Sequence, residues 1–381
     1  MIYKEKINQY FKKHSTNFPY INNYKVKKES YKYFIIIPIF NEYDYILQTL
    51  KSIDKNPQIY LDELLVVLVI NNSINDSDDI KNNNFKTHKT ISNQKYHYEY
   101  LIIDSYSKKN ALGKKHCGVG VSRKIGMDFA IYFSRENSIL FSLDADTLVS
   151  EKYFETITNC FNKMKIKACT INFKHQKAKN LIIEKIIREY EEKLKNIADL
   201  IYKSGSPYGY VSMGSALACK TSAYMLVGGM SKKKATEDFY FLQSLAKQTK
   251  IYKIKKILIF PSSRDERRVY LGTGYRIKEF KDNQKFINLD YSKEAYYNLN
   301  IILTLVDEMW GKDFSVFNKK INKICNQKVI NFFEDNNFKD IWVKFCKETD
   351  NKNQFILFFN QWFDALKTIK FLKKISSNNK I

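Results

Sequence analysis

Tyr33–Ile39 and Leu64–Ile70 are apolar at every position. A strand with one wet face alternates apolar and polar residues. An unbroken apolar run is the pattern of a strand buried on both faces, as in a parallel sheet. Two shorter runs, Tyr100–Ile103 and Ser138–Leu143, repeat the theme. Between them, Asn41–Ile53 places Ile46, Leu50 and Ile53 on one helical face, and Gly118–Phe133 reads as a second helix. Strand and helix in alternation imply an α/β domain, with a mostly parallel sheet covered on both faces. Residues 1–30 form a polar, aromatic-dotted lead-in, and the Asn/Lys-rich stretch 72–97 reads as a surface excursion.

The second half changes character. Ile183, Ile186, Ile187, Tyr190, Leu194, Ile197 and Ile201 trace one stripe of a long amphipathic helix. Gly209–Cys219 is small and apolar, and Gly228-Gly229 is a turn. Thr236–Ala246 fits a helix capped by Thr236, with Glu237 and Asp238 in the first turn, where the helix dipole favours carboxylates. Ile251–Phe260 is a strand ended by Pro261, and from about residue 285 to 381 aromatic and charged residues recur at helical spacing.

Charge needs a decision. The chain carries 64 Lys+Arg against 40 Asp+Glu, a formal +24. A basic surface for nucleic acid or anionic lipid is one reading. Yet Lys is spread along a chain also rich in Asn, Ile, Tyr and Phe, which points to a compositional background, and the clustered Arg are more informative. The N-terminus is too polar for a signal peptide. No apolar run approaches the ~18–20 residues needed to span a bilayer, so a cytoplasmic protein is expected. The six cysteines are scattered without a C-x-x-C pair, and no P-loop sequence is present.

Five features could carry chemistry. Asp144-Ala145-Asp146 follows the strand Ser138–Leu143 and puts two carboxylates where ligands sit in open α/β sheets. Such an oxygen-rich pair suits Mg²⁺ or Mn²⁺ bridging to phosphate; an exposed acidic loop is the plain alternative. Pro38-Ile39-Phe40-Asn41-Glu42 ends the first strand, where Asn41 and Glu42 either cap the next helix or accept bonds from a ligand. Gly118-Val119-Gly120 opens a helix bearing Arg123, a place for anionic oxygen. Thr236-Glu237-Asp238 holds carboxylates suited to general-base work. Arg264, Arg267 and Arg268 place three Arg in five positions, and Arg grips phosphate bidentately.

In this order the motifs resemble the family 2 glycosyltransferases of the GT-A fold, over roughly residues 33–275. The resemblance implies a Rossmann-like, mostly parallel sheet flanked by helices over 31–284, with a helical C-terminal extension over 285–381. It implies donor and nucleotide binding by Pro38, Asn41, Glu42, Asn71, Arg123, Asp144, Arg267 and Arg268. It implies Asp146 as metal ligand with Asp144 beside it, and Gly214, Ser215 and Ala216 on the acceptor side. Asp238 takes the role of catalytic base, with Glu237 adjacent. The chain departs from the family in ending its second strand in Asn71-Asn72-Ser73 where many relatives have Asp, in lacking Q-x-x-R-W, and in having no His after His175. No membrane helices follow, which argues against a processive membrane polymerase.

The expectation is a metal-dependent, inverting enzyme using Mn²⁺ or Mg²⁺ and a UDP- or GDP-sugar. It acts on a glycan or lipid-linked acceptor, in the cytoplasm or peripherally at the inner face of the membrane, with no nucleic-acid partner. A nucleotidyltransferase on a related sheet and a basic nucleic-acid-binding protein are the alternatives.

Overall fold

The computed structural model describes residues 2–14, 24–113, 117–266, 272–287 and 289–377. The chain divides into two compact units, residues 1–187 with 212–277, and residues 188–211 with 278–381. The second unit therefore takes in residues 188–211 as well as the C-terminal extension.

The first unit is built on eight strands: β1 (Tyr31–Ile39), β2 (Leu64–Asn71), β3 (Glu99–Ser105), β4 (Ser134–Ser142), β5 (Leu148–Val149), β6 (Ala168–Phe173), β7 (Leu217–Lys220) and β8 (Ile251–Phe260). They form one sheet in the order β3-β2-β1-β4-β7-β6-β8-β5. The pairs β3–β2, β2–β1, β1–β4 and β6–β8 are parallel, whereas β4–β7, β7–β6 and β8–β5 are antiparallel. The sheet is thus mixed, with parallel pairs in the majority. Every residue of β2 is buried, as its unbroken apolar run requires.

Helix Tyr43–Asp54 buries Ile46, Leu50 and Ile53, the face read from the spacing. Helix Val119–Tyr132 is buried along nearly all its length. The lead-in contributes helix Ile2–His14. Its Tyr10 hydroxyl donates to Asp128 (2.6 Å), which is also paired with Lys124 (3.1 Å) and accepts from Tyr224 (2.7 Å). This buried knot steadies the helix that carries Arg123.

Three expectations change. The excursion 72–97 contains a helix, Asp78–Ser92, whose buried residues are Asn84, Thr87 and Ile91. Its inward face is mostly polar because it serves amide hydrogen bonds, so apolar spacing does not reveal it. The small-residue segment yields a strand, β7, too short for a periodicity signal. Thr236 is not a side-chain cap: it has φ 65°, and its hydroxyl donates to the Ala235 carbonyl.

The second unit contains helices Lys293–Glu308, Phe314–Ile324, Gln327–Glu334, Phe338–Glu348, Lys352–Trp362 and Ala365–Ser376. Ser292, Asn326, Asn351 and Asp364 cap four of them by accepting a backbone N–H three residues on. Their apolar stripes meet in an aromatic core that includes Phe317, Phe333, Phe338, Trp342, Phe359 and Phe363. No helix among the described residues is long and apolar enough to cross a membrane.

Candidate active site

Parallel neighbours end at the same edge, and this brings the distant motifs together. In the β1–β4 ladder Ile36 sits opposite Ser142, and Leu143 N–H donates to the Ile36 carbonyl (3.1 Å). Asn41-Glu42 and Asp144-Ala145-Asp146 therefore leave the sheet side by side. Thr49 pins the second loop by donating to the Ala145 carbonyl (2.8 Å). Gln176, just past β6, donates to the carbonyls of Asp146 (3.0 Å) and Phe260 (2.8 Å).

Arg123 is the first hub. Its side chain is only 2% exposed, and its guanidinium pairs with Asp144 and donates from Nε to Glu237 Oε1 (3.2 Å). It also donates to Ser142 Oγ and to the Gly214 carbonyl (2.6 Å). A Cβ on Gly214 would lie 2.3 Å from Arg123 Nη2, so the small residue there makes room for the guanidinium. A Cβ on Gly120 would lie 2.2 Å from the Lys233 carbonyl oxygen and 2.9 Å from Glu237 Cβ. The Gly-x-Gly sequence thus lets the backbone leading to Glu237 approach closely. The neighbouring Ser215 keeps a buried hydroxyl with no hydrogen-bond partner among the described residues.

Arg264 is the second hub, held in the segment after β8. Its Nη2 lies 2.8 Å from Glu42 Oε1 and 2.7 Å from Asp146 Oδ2. The guanidinium carbon sits 4.4 Å from the centre of the Tyr45 ring. The two carboxylates of the Asp-x-Asp sequence are thus each taken by a different arginine, Asp144 by the buried Arg123 and Asp146 by the partly buried Arg264.

Among the described residues, Arg123 pairs with Asp144 and Glu237, and Arg264 pairs with Glu42 and Asp146, while Asp238 lies beside Glu237 and feels Arg123. Burial, with Asp146 nearby, pushes Glu42 up to about 9 against the pull of Arg264. Burial raises Glu237 to about 7, opposed by Arg123. Asp146 and Asp238 are also raised, chiefly by burial, with Arg264 and Arg123 respectively opposing. His175 favours the charged form of Asp146, and its Nε2 lies 3.0 Å from Thr273 Oγ1. The carboxylate oxygens of Asp144 and Asp146 are the kind of hard donors a divalent cation takes. No group of three or more His, Cys, Asp or Glu in a metal-holding arrangement occurs among the described residues.

A buried amide network shapes the strand ends beside this cluster. Asn84 Nδ2 donates to the Asn71 carbonyl (3.0 Å) and to Asn72 Oδ1 (2.9 Å). Its Oδ1 accepts from the Asn41 backbone (3.1 Å), which helps hold Asn41 at φ 57°. Asn71 Nδ2 donates to the Ile39 carbonyl (2.9 Å), tying β2 to β1 just beyond the paired Pro38.

Pro38, Asn41, Glu42, Asn71, Arg123, Asp144, Asp146, Gly214, Ser215, Glu237 and Asp238 thus gather along one edge of the sheet. Arg267 and Arg268 lie outside the described residues, and of the three clustered arginines it is Arg264 that is seen to reach the carboxylates. Sequence reasoning missed Asn84, Gln176 and Tyr45. Asn84 and Gln176 act mainly through main-chain groups that tertiary folding brings to them, and Tyr45 offers a ring face, so none leaves a motif.

No protein-family model matches the sequence, and no curated protein matches it. Among solved structures, similar chains include S. aureus TarS residues 1–349 in complex with UDP-GlcNAc (13% identity, 76% of each chain covered, TM-score 0.43). Another is the mannosyltransferase PcManGT from Pyrobaculum calidifontis in complex with GDP-Man and Mn²⁺ (12% identity, 95% of this chain and 94% of that chain, TM-score 0.42). A third is glucosyl-3-phosphoglycerate synthase from Mycobacterium tuberculosis with Mn²⁺, UDP-glucose and phosphoglyceric acid (12% identity, 64% and 75%, TM-score 0.35). Likenesses this distant leave the chemistry to be read from the site.

Proposed function

We propose that the chain is a GT-A glycosyltransferase of the family 2 type, moving a sugar from a UDP- or GDP-sugar to an acceptor hydroxyl with inversion. The observation that carries this reading is the meeting of three separated motifs at one sheet edge: Arg123 between Asp144 and Glu237, Asp146 against Arg264, and Asp238 beside Glu237.

Asp238 accepts the proton of the acceptor hydroxyl. The acceptor oxygen then forms a bond to the anomeric carbon as that carbon's bond to the diphosphate oxygen breaks on the opposite face, so configuration inverts. Burial raises the basicity of Asp238, which favours proton abstraction near neutral pH. Glu237 orients Arg123, and Arg123 fixes Asp144 at the donor side. Asp146 and Asp144 are the residues that would hold Mn²⁺ or Mg²⁺, an ion that supplies positive charge to the departing diphosphate. Arg264, Arg267 and Arg268 supply further positive charge. The acceptor is a glycan or a lipid-linked hydroxyl, and the Lys excess suits a cytoplasmic protein that touches an anionic membrane surface.

The test is product analysis with a panel of UDP- and GDP-sugars and Mn²⁺ or Mg²⁺. Release of nucleoside diphosphate, reduced about a hundredfold or more in Asp238→Asn, is expected. Release of pyrophosphate would instead identify a nucleotidyltransferase. Salt-sensitive DNA or RNA binding without donor turnover would identify a nucleic-acid-binding protein.

A further inference from the structure

We propose that Arg264 and the divalent cation compete for Asp146, and that Arg264 passes from Asp146 and Glu42 to the donor diphosphate as the cation binds. This inference rests on the glycosyltransferase reading and assigns Arg264 a role within it.

Arg264 is held in an unusual way. A guanidinium on a carboxylate normally donates two parallel bonds from its fork. Here a single nitrogen, Nη2, serves both Glu42 and Asp146, at 2.8 and 2.7 Å. The group acts there as a point charge between two carboxylates, which is how a metal ion acts. Meanwhile Nη1 is buried and has no hydrogen-bond acceptor among the described residues; Glu266 Oε2 lies 3.7 Å away, beyond hydrogen-bond reach. A buried N–H without an acceptor is costly and needs an explanation. Phosphate oxygens would satisfy it, and a guanidinium suits them better than any other side chain does.

The charge balance points the same way. A diphosphate would bring further negative charge beside the carboxylates that Arg264 holds. A divalent cation on Asp146 supplies more charge than the guanidinium it displaces. The freed Arg264 need not move far, because the Tyr45 ring, 4.4 Å from its guanidinium carbon, attracts the cation without fixing its direction. Arg264 also lies outside any helix or strand, in the segment after Pro261, so no backbone ladder opposes a shift. Arg123 offers a contrast. Its Nε, Nη1 and Nη2 are all engaged, and its side chain is only 2% exposed. Arg123 is the fixed cation and Arg264 the exchangeable one.

The experiment measures Mn²⁺ binding without nucleotide, by loss of the free-ion electron-spin-resonance signal, and then UDP and GDP binding at saturating Mn²⁺. In Arg264→Gln, Mn²⁺ affinity should rise at least tenfold while affinity for the preferred diphosphate falls at least tenfold. A merely structural arginine would not produce these opposite shifts. Unchanged or weakened Mn²⁺ binding in a folded Arg264→Gln protein overturns the proposal. The wild-type protein provides a second measurement that does not depend on the variant folding. The ¹⁵N signal of the Arg264 Nε, assigned by its absence in Arg264→Lys, should shift on saturation with Mg²⁺ and again on adding diphosphate. A signal that Mg²⁺ leaves in place also overturns it. If donor turnover persists in either overturning case, only the exchange is lost; if the wild type turns over no nucleotide sugar, the glycosyltransferase reading fails with it.

Discussion

Arg123→Met removes the buried cation that, among the described residues, faces Glu237 and Asp144 together. Methionine is close to arginine in length and fills much of the space, so the main loss is electrostatic. Breaking a buried ion pair from one side costs about 3–5 kcal/mol, because the remaining charge keeps its desolvation penalty. Asp144 is 36% exposed on its side chain and recovers much of its hydration, so its share is discounted. Glu237, at 5%, does not recover, and the Gly214 carbonyl loses its donor. A net loss of about 3 kcal/mol follows.

That loss should depend on pH, with a definite sign. Glu237 is raised from 4.5 to about 7 in the folded protein, so between those values the folded state holds more protons than the unfolded state. Its contribution to stability is present below the unfolded value and is lost as pH rises through about 7. Without Arg123 the folded value rises further, so the decline extends to higher pH and the variant is hurt more at pH 8 than at pH 6. The assay is urea unfolding followed by far-ultraviolet circular dichroism at both pH values. The companion is Arg123→Met/Glu237→Gln, in which the uncompensated charge is gone; it should regain at least about 1 kcal/mol over the single variant. A single-variant loss below about 1 kcal/mol, or no recovery in the double variant, refutes the hub role of Arg123.

Further outcomes follow from the same geometry. Gly214→Val should displace the Arg123 guanidinium, lowering stability by about 1–3 kcal/mol and lowering turnover with it; unchanged donor kinetics in a folded Gly214→Val protein would contradict the close approach. Asn84→Ala strips the Asn41 N–H and the Asn71 carbonyl of a buried partner, so a loss of about 1–3 kcal/mol is expected in urea unfolding, together with a higher KM for the donor. The pH–rate profile should show an acid limb set by Asp238, displaced above the usual carboxylate range because burial raises its pKa; a limb at an ordinary carboxylate value would remove Asp238 as the base.

The candidate site was partly legible from the chain because its chemistry sits at strand ends. Strand ends are announced by apolar runs that stop abruptly, as at Ile39–Asn41 and Leu143–Asp144. Arg123 stood out in a Lys-rich sequence, and Glu237-Asp238 stood out at a helix start. What could not be read was partnership. Nothing in the sequence says that Arg123 faces Asp144 and Glu237 while Arg264 faces Glu42 and Asp146. Those pairings depend on which strands lie side by side, and the order β3-β2-β1-β4-β7-β6-β8-β5 includes three antiparallel steps that local pattern does not encode.

The sequence by itself determined the buried parallel strands, the amphipathic helices that cover them and the residue types gathered at the edge. These follow from hydrophobic burial and local geometry, which act over a few residues. Only the tertiary structure decided the helix Asp78–Ser92, whose inward face is polar because Asn84 serves backbone groups of Asn41 and Asn71. Only the tertiary structure decided which carboxylates are buried together, where burial, opposed by Arg264 and Arg123, raises Glu42 to about 9 and Glu237 to about 7. Desolvation and charge proximity are set in space, between residues far apart along the chain, and for that reason a list of residues could name the charged groups but not their balance.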